Sequence, residues 1–93
     1  KYQFELQGQP ISVESTSHVY DLIYDRGSQE MQFTAAGPTG TNGRTTISIP
    51  ETLLTGKLRV MIDGYAVPST NKAGEISFDY AHIGRSTVTI LNE

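Results

Sequence analysis

Apolar side chains recur at every second position through much of this chain, and this spacing constrains its fold more than any other feature. Tyr2, Phe4 and Leu6 alternate with polar residues, and the same period returns around residues 31–35 and 76–80. A period of two is typical of β-strands with one buried face. No segment has the apolar spacing of an amphipathic helix of three turns. The pattern predicts about seven to nine short strands and an all-β fold.

Turn-forming residues separate these segments at short, regular intervals. Asp63-Gly64 is the strongest hairpin signal, because both central positions of a type I′ turn need a positive φ, which Asp and Gly tolerate. Many short strands at this spacing predict an immunoglobulin-like sandwich of two antiparallel sheets, with a small closed barrel as the alternative. We expect Phe33, Val60 and Phe78 in its core.

Residues 18–25, HVYDLIYD, are apolar on both faces of the expected strand. Strands that are buried on both sides contain near-continuous apolar runs. This segment therefore predicts a central strand, or one that a neighbouring element covers.

The segment SIPETLLTGKLRVMIDG, residues 48–64, interrupts the alternation with helix-like sequence. Pro50 suits the first position of a helical turn, and Gly56 suits the position just past its end. Between them, Leu53 and Leu54 are too apolar for a free surface loop. We predict one short helical turn near residues 50–55 that crosses between the sheets and caps one end of the sandwich. The alternative is that Leu53 or Leu54 is an exposed partner contact.

Length and charge limit the organisation and the partners. A chain of 93 residues is one domain, and we interpret residues 1–93 as a single domain excised from a longer, multi-domain chain. The absence of cysteine excludes disulfides and thiolate chemistry. The net charge of −3 and the scattered basic residues argue against nucleic acid as a partner. No apolar run reaches the roughly 20 residues of a membrane-spanning helix.

Four motifs at fixed spacing resemble a known domain. They are the loop GPTGTNG at 37–43, ISIPETLLTG at 47–56, VMIDG at 60–64 and FDYAH at 78–82. Together they are similar to the β-sandwich repeat domain of archaeal secreted and cell-surface proteins, which are surface-layer-associated or sorting-tagged. The resemblance implies an extracellular structural or adhesive module at the cell surface, and it supplies no catalytic residues.

The residues that could carry chemistry are few. His18 and His82 are the only histidines, and no G-x-S-x-G nucleophile motif accompanies the many hydroxyls. Asp79 and His82 are three apart, which puts them on opposite faces of a strand and argues against a shared metal. We expect His82 to make a turn hydrogen bond. We predict that the chain is not an enzyme and that it has no catalytic residue, metal site or cofactor.

Tyrosines are the best candidates for contact with a ligand or partner, because sugars stack on aromatic rings. Tyr20 and Tyr24 are predicted to share one face of their strand and to form an apolar patch where that face is open. Tyr65, beside the Asp63-Gly64 turn, is expected to be exposed.

These observations favour a non-catalytic structural or adhesive module of an exported cell-surface protein. It would contact neighbouring domains of the same protein or other surface proteins. Pro68 predicts the end of a strand or an edge strand, so pairing along a strand edge is one route to such contacts. The alternative is a carbohydrate-binding module of a secreted enzyme, with a glycan as its partner. A calcium-stabilised adhesin domain is the weaker third hypothesis.

Overall fold

Ten strands form the part of the chain that the computed structural model describes, which is residues 2–50, 53–54, 57–72 and 74–92. No helix occurs within these residues, and so none is long and apolar enough to cross a membrane. The strands are β1 (Tyr2–Leu6), β2 (Gln9–Ser15), β3 (His18–Asp25), β4 (Glu30–Gly37), β5 (Asn42–Ser48), β6 (Leu58–Ile62), β7 (Tyr65–Val67), β8 (Ser69–Lys72), β9 (Glu75–Ala81) and β10 (Gly84–Asn92).

The strands divide into two five-stranded antiparallel sheets. Sheet A has the order β1-β2-β5-β9-β8, and sheet B has the order β3-β4-β10-β6-β7. The predicted two-sheet sandwich is confirmed, and the closed barrel is not formed. Pro68 lies between β7, an edge strand of sheet B, and β8, an edge strand of sheet A. It therefore ends one strand and marks the point where the chain passes to the other sheet.

The core lies between the sheets and follows the alternation of the sequence. Phe33 is 1 % exposed, Val60 0 % and Phe78 2 %, as predicted. The other buried apolar residues include Ile11, Val13, Met31, Ile47, Ile76, Val88 and Ile90.

Strand β3 is an edge strand, so the prediction that it is central or covered is wrong. Its register against β4 shifts between Tyr20 and Ile23, and Asp21 in this bulge has a φ of 58°. A bulge adds one residue to the strand and exchanges its inner and outer positions. Tyr20 precedes the shift and Leu22 follows it, so these two residues point to opposite faces of the sheet. A strand with one buried face therefore has the apolar sequence pattern of a strand that is buried on both faces.

The Asp63-Gly64 hairpin is confirmed. Both residues have positive φ, 51° and 87°, as a type I′ turn requires. The N–H of Asp63 donates to the carbonyl of Thr87, and its Oδ1 accepts from the N–H of Thr87, both at 2.9 Å. The turn is thereby attached to the central strand β10.

The crossover after β5 carries leucines into the core. The N–H groups of Leu53 and Leu54 donate to the carbonyl of Pro50 at 3.0 and 3.3 Å, which are the hydrogen bonds of a single helical turn. The two leucines are 5 % and 3 % exposed, so the alternative that they are exposed contacts is wrong. Gly56, the predicted end of the turn, lies outside the described residues, as do positions 51, 52 and 55.

Candidate functional site

Polar side chains gather on the inner faces of the sheets at one end of the sandwich. We call this the histidine end; it contains the connections at residues 16–17, 38–41, 63–64 and 82–83. Along β5 and β9 the inward positions change towards this end from aliphatic or aromatic to hydroxyl-bearing. On the inner face of β5, the next residue after Ile47 in this direction is Thr45, and on β9 the next after Phe78 is Tyr80. The sequence thus closes this end of the core with polar groups.

His82 lies at the centre of this cluster and is 5 % exposed. Its N–H donates to the carbonyl of Thr41 at 2.8 Å, and its carbonyl accepts from the N–H of Gly40 at 3.2 Å. The predicted turn hydrogen bond is confirmed. The ring also makes two bonds that the sequence did not reveal, with Nε2 2.7 Å from Ser17 Oγ and Nδ1 2.8 Å from Thr41 Oγ1.

A row of hydroxyls continues from Ser17 into sheet A. Ser17 Oγ is bonded to the hydroxyl of Tyr80, which lies 2.7 Å from Thr45 Oγ1. Thr45 Oγ1 is in turn 2.9 Å from Ser15 Oγ. This polar network connects the β2–β3 connection, the β4–β5 connection and the last residues of β9.

The direction of the hydrogen bonds in the polar network follows from one carbonyl. Thr41 Oγ1 donates its single proton to Pro38 O at 2.6 Å, so it must accept from Nδ1–H of His82. In the neutral ring Nε2 then accepts from Ser17. Each further hydroxyl has only one proton, so Tyr80 donates to Ser17, Thr45 to Tyr80 and Ser15 to Thr45.

Two glycines make room for the rings of this network. A Cβ on Gly37 would lie 2.5 Å from Nε2 of His82, and a Cβ on Gly43 would lie 2.6 Å from Cε2 of Tyr80. Gly43 is also directly opposite Tyr80 in the sheet, so the ring covers its backbone. The first and last glycines of the GPTGTNG motif therefore leave the space that the Tyr80 and His82 rings of the FDYAH motif occupy.

Ser17 and His82 have the separation of a nucleophile and its general base. However, Ser17 is only 3 % exposed, and its oxygen is also bonded to Tyr80. The other nitrogen of the imidazole faces the Thr41 hydroxyl, where a catalytic triad has a carboxylate. The arrangement links three chain segments through side-chain hydrogen bonds.

Two acidic side chains, those of Asp79 and Asp25, make local hydrogen bonds. Asp79 accepts two hydrogen bonds from Arg44, at 2.9 and 3.0 Å, on the exposed face of sheet A. Asp25 Oδ1 accepts from the backbone N–H groups of Gly27 and Ser28. Within the described ranges, no group of three or more His, Cys, Asp or Glu side chains could hold a metal ion.

The structure separates the three candidate tyrosines. Tyr20 is opposite Thr34 and faces outward, whereas Tyr24 is opposite buried Met31 and packs against the core. The expectation that Tyr20 and Tyr24 share one face is wrong, because the bulge lies between them. The Tyr24 hydroxyl donates to the carbonyl of Leu53 at 2.7 Å. Tyr65 is 78 % exposed, as expected, and lies on the opposite edge strand of sheet B.

The sequence alone does not predict the polar network, because its members are distant along the chain, although two signals point to it. One is the pair Tyr80 and His82, two positions apart at the end of β9, and the other is glycine at the strand positions 37 and 43.

A comparison of the chain with known protein families, characterised proteins and solved structures gave no match.

Proposed function

We propose that this chain is a non-catalytic structural or adhesive module of an exported cell-surface protein, and that it acts through protein–protein or strand-edge contacts. The observation that carries the proposal is the polar network of the histidine end. Three of its groups that could have served a reaction, those of Ser17, Thr45 and His82, are buried, and all are bonded within the network. They rigidify the loops and leave the outer surface for contacts.

The outer surface supports a role in contacts. Among the residues that the structure describes, three large apolar side chains are more than half exposed, Ile23 at 57 %, Ile83 at 64 % and Tyr65 at 78 %. These three side chains lie apart, on β3, beside β10 and on β7, so each is a single apolar contact point and they form no common patch. Each sheet also ends in two edge strands, which can pair with a further strand. The resemblance of the four motifs to archaeal surface proteins supports an extracellular location.

The non-catalytic part of the proposal can be tested with a fluorophosphonate probe, which labels activated serines. We expect no labelling of Ser17 in the folded protein, because the serine is buried. Labelling that the variant His82→Gln abolishes would contradict the proposal.

The location can be tested on intact cells that produce the protein, with an amine reagent that does not cross membranes. We expect modification of exposed lysines such as Lys72. Protein that is modified only after lysis would contradict the surface location.

A carbohydrate-binding module is the second candidate, and one contact favours it. The rings of His18 and Tyr20 lie 5.1 Å apart at 38° on the edge strand β3, beside Thr34 of β4. Aromatic surface next to polar groups is suited to sugar rings. An NMR titration with oligosaccharides would then shift the rings of Tyr20 and His18, and Tyr20→Ala would abolish the shift of the His18 ring while Tyr65→Ala would not. No shift at Tyr20 would exclude this candidate.

A further inference from the structure

Among the four edge strands in the described part of the chain, β1 alone has no bulge, is longer than four residues and does not follow a proline. Strand β3 is bulged at Asp21, β7 has three residues, and β8 has four residues that begin directly after Pro68. Bulges, prolines and short strands are the usual means by which edges avoid pairing. In contrast, β1 has five residues in unbroken register with β2.

The free backbone groups of β1 can be identified from its hairpin. Gln7 and Gly8 have φ values of 53° and 76°, a two-residue type I′ turn, so Leu6 and Gln9 form a hydrogen-bonded pair. Hydrogen-bonded and non-hydrogen-bonded pairs alternate in an antiparallel ladder. Phe4 is therefore bonded to β2, whereas Gln3 and Glu5 direct their N–H and C=O groups away from the sheet.

Pro10 supports this assignment. It is opposite Glu5, at a position where the ladder between β1 and β2 needs no N–H.

The side chains of β1 leave apolar surface at this edge. Tyr2, Phe4 and Leu6 point towards the core but are only partly buried. On sheet B the neighbouring edge strand β3 adds Leu22 and Tyr24, which are also partly buried. A strand added to β1 would cover part of this opening between the sheets.

The sequence of β1, YQFEL, is complementary to itself in the antiparallel direction. With Phe4 on a two-fold axis, Gln3 of one copy faces Glu5 of the other, and these are the residues with free backbone groups. Two such pairs give four backbone hydrogen bonds. Each also sets a Gln amide donor against a carboxylate, and Tyr2 faces Leu6 on the inner side.

We propose that β1 pairs with β1 of a second copy of this chain, which joins the two A sheets into one ten-stranded sheet. The partner is a copy of the same chain because the register that satisfies the free backbone groups also matches the side chains. This inference rests on the proposed function and names the strand edge and the partner through which the module acts.

Hydrogen exchange measured by NMR tests the pairing from micromolar to millimolar concentration, with sedimentation equilibrium to give the mass. We expect a monomer–dimer equilibrium in which the amides of Gln3 and Glu5 become protected as the dimer forms. The amide of Phe4, which is bonded to β2, is protected at all concentrations and serves as the internal control.

A matched pair of variants tests the register. Gln3→Glu puts a carboxylate opposite Glu5 of the second copy and should weaken dimerisation by about tenfold, because two like-charged cross-strand pairs are created. Thr70→Glu adds the same charge on β8, the opposite edge strand of sheet A, and should leave the dimer unchanged.

A chain that stays monomeric, or a dimer in which Gln3 and Glu5 remain unprotected, would overturn the pairing. Equal weakening by Gln3→Glu and Thr70→Glu would overturn the register. None of these results bears on Ser17 labelling or on surface location, so the proposed function is tested separately.

Discussion

At the scale of single residues, the histidine end depends on two glycines, which have no side chain, as much as on its polar residues. His82 fills the space beside Gly37, and Tyr80 lies over Gly43, so each ring occupies the place of a missing methyl group. Neither glycine has the positive φ that would by itself require glycine. Their role is therefore steric, and it can be separated from backbone strain by mutation.

We predict that Gly37→Ala lowers the free energy of unfolding by about 2 kcal/mol, because its Cβ would overlap the His82 ring. In a His82→Ala background the same substitution should cost much less, since the ring is gone. Urea unfolding of the two single variants and the double variant measures this coupling. Gly27→Ala, where the added Cβ meets an ordinary contact at 3.4 Å, is the control. Equal costs in both backgrounds would contradict the steric role.

Removal of one hydroxyl should break the polar network. Tyr80→Phe leaves the Thr45 proton without its acceptor and Ser17 without its donor, so we expect a loss of about 1–3 kcal/mol in unfolding free energy. Tyr65→Phe removes the same group from an exposed ring and should change stability by less than about 0.5 kcal/mol. Thermal or urea unfolding compares them. Similar values for both variants would show that the network does not contribute.

At the scale of elements, turns and bulges decide which residues meet. The Asp63-Gly64 turn is anchored to β10 by two hydrogen bonds with Thr87, so it positions the outer strands β6 and β7 against the centre of sheet B. Asp63 has two roles, because it adopts a positive φ and its carboxylate accepts a hydrogen bond.

Substitutions at Asp63 separate these roles. Asp63→Asn keeps a side-chain acceptor and tolerates positive φ, and should cost less than about 1 kcal/mol. Asp63→Ala loses both properties and should cost about 2 kcal/mol. Chemical unfolding of both variants checks the order, and a less stable Asn variant would contradict it.

The residue pattern within each segment predicts most strands and turns. It does not predict features that depend on how one strand pairs with another. The alternation in β4 and β9 and the Asp63-Gly64 signal were sufficient to place the strands and the sharpest turn. The bulge at Asp21 could not be found, because alternation assumes one residue per step, and so Tyr20 and Tyr24 were assigned to one face. The polar network joins Ser17, Thr41 and His82, which only the pairing of strands across the sheet brings together.

At the scale of the whole molecule, the two ends of the sandwich are closed by different chemistry. Leu53 and Leu54 cover one end with apolar surface, and the polar network closes the other. Hydrophobic burial tolerates small shifts, whereas hydrogen bonds fix distances and directions. The histidine end is thus the more precisely defined end.

The two closures should contribute independently to one cooperative transition. We expect Leu54→Ala to cost about 2–5 kcal/mol, because a fully buried leucine is truncated. Combined with Tyr80→Phe, the losses should add within about 0.5 kcal/mol, since the sites share no partner. Differential scanning calorimetry of the single and double variants measures this. Two separate transitions, or a clear deviation from additivity, would contradict it.

The placement of β1 and β10 determines how this fold would respond to a mechanical load. Tyr2 begins β1 at the histidine end, where its hydroxyl donates to Ser17 O, and Asn92 pairs with Leu58 near the leucine-capped end of the central strand β10. The longest dimension of the molecule is 36 Å. Tension between residues 2 and 92 would pull both strands along their own axes. Their ladders would then be loaded in shear, with many hydrogen bonds sharing the force, instead of being unzipped one bond at a time.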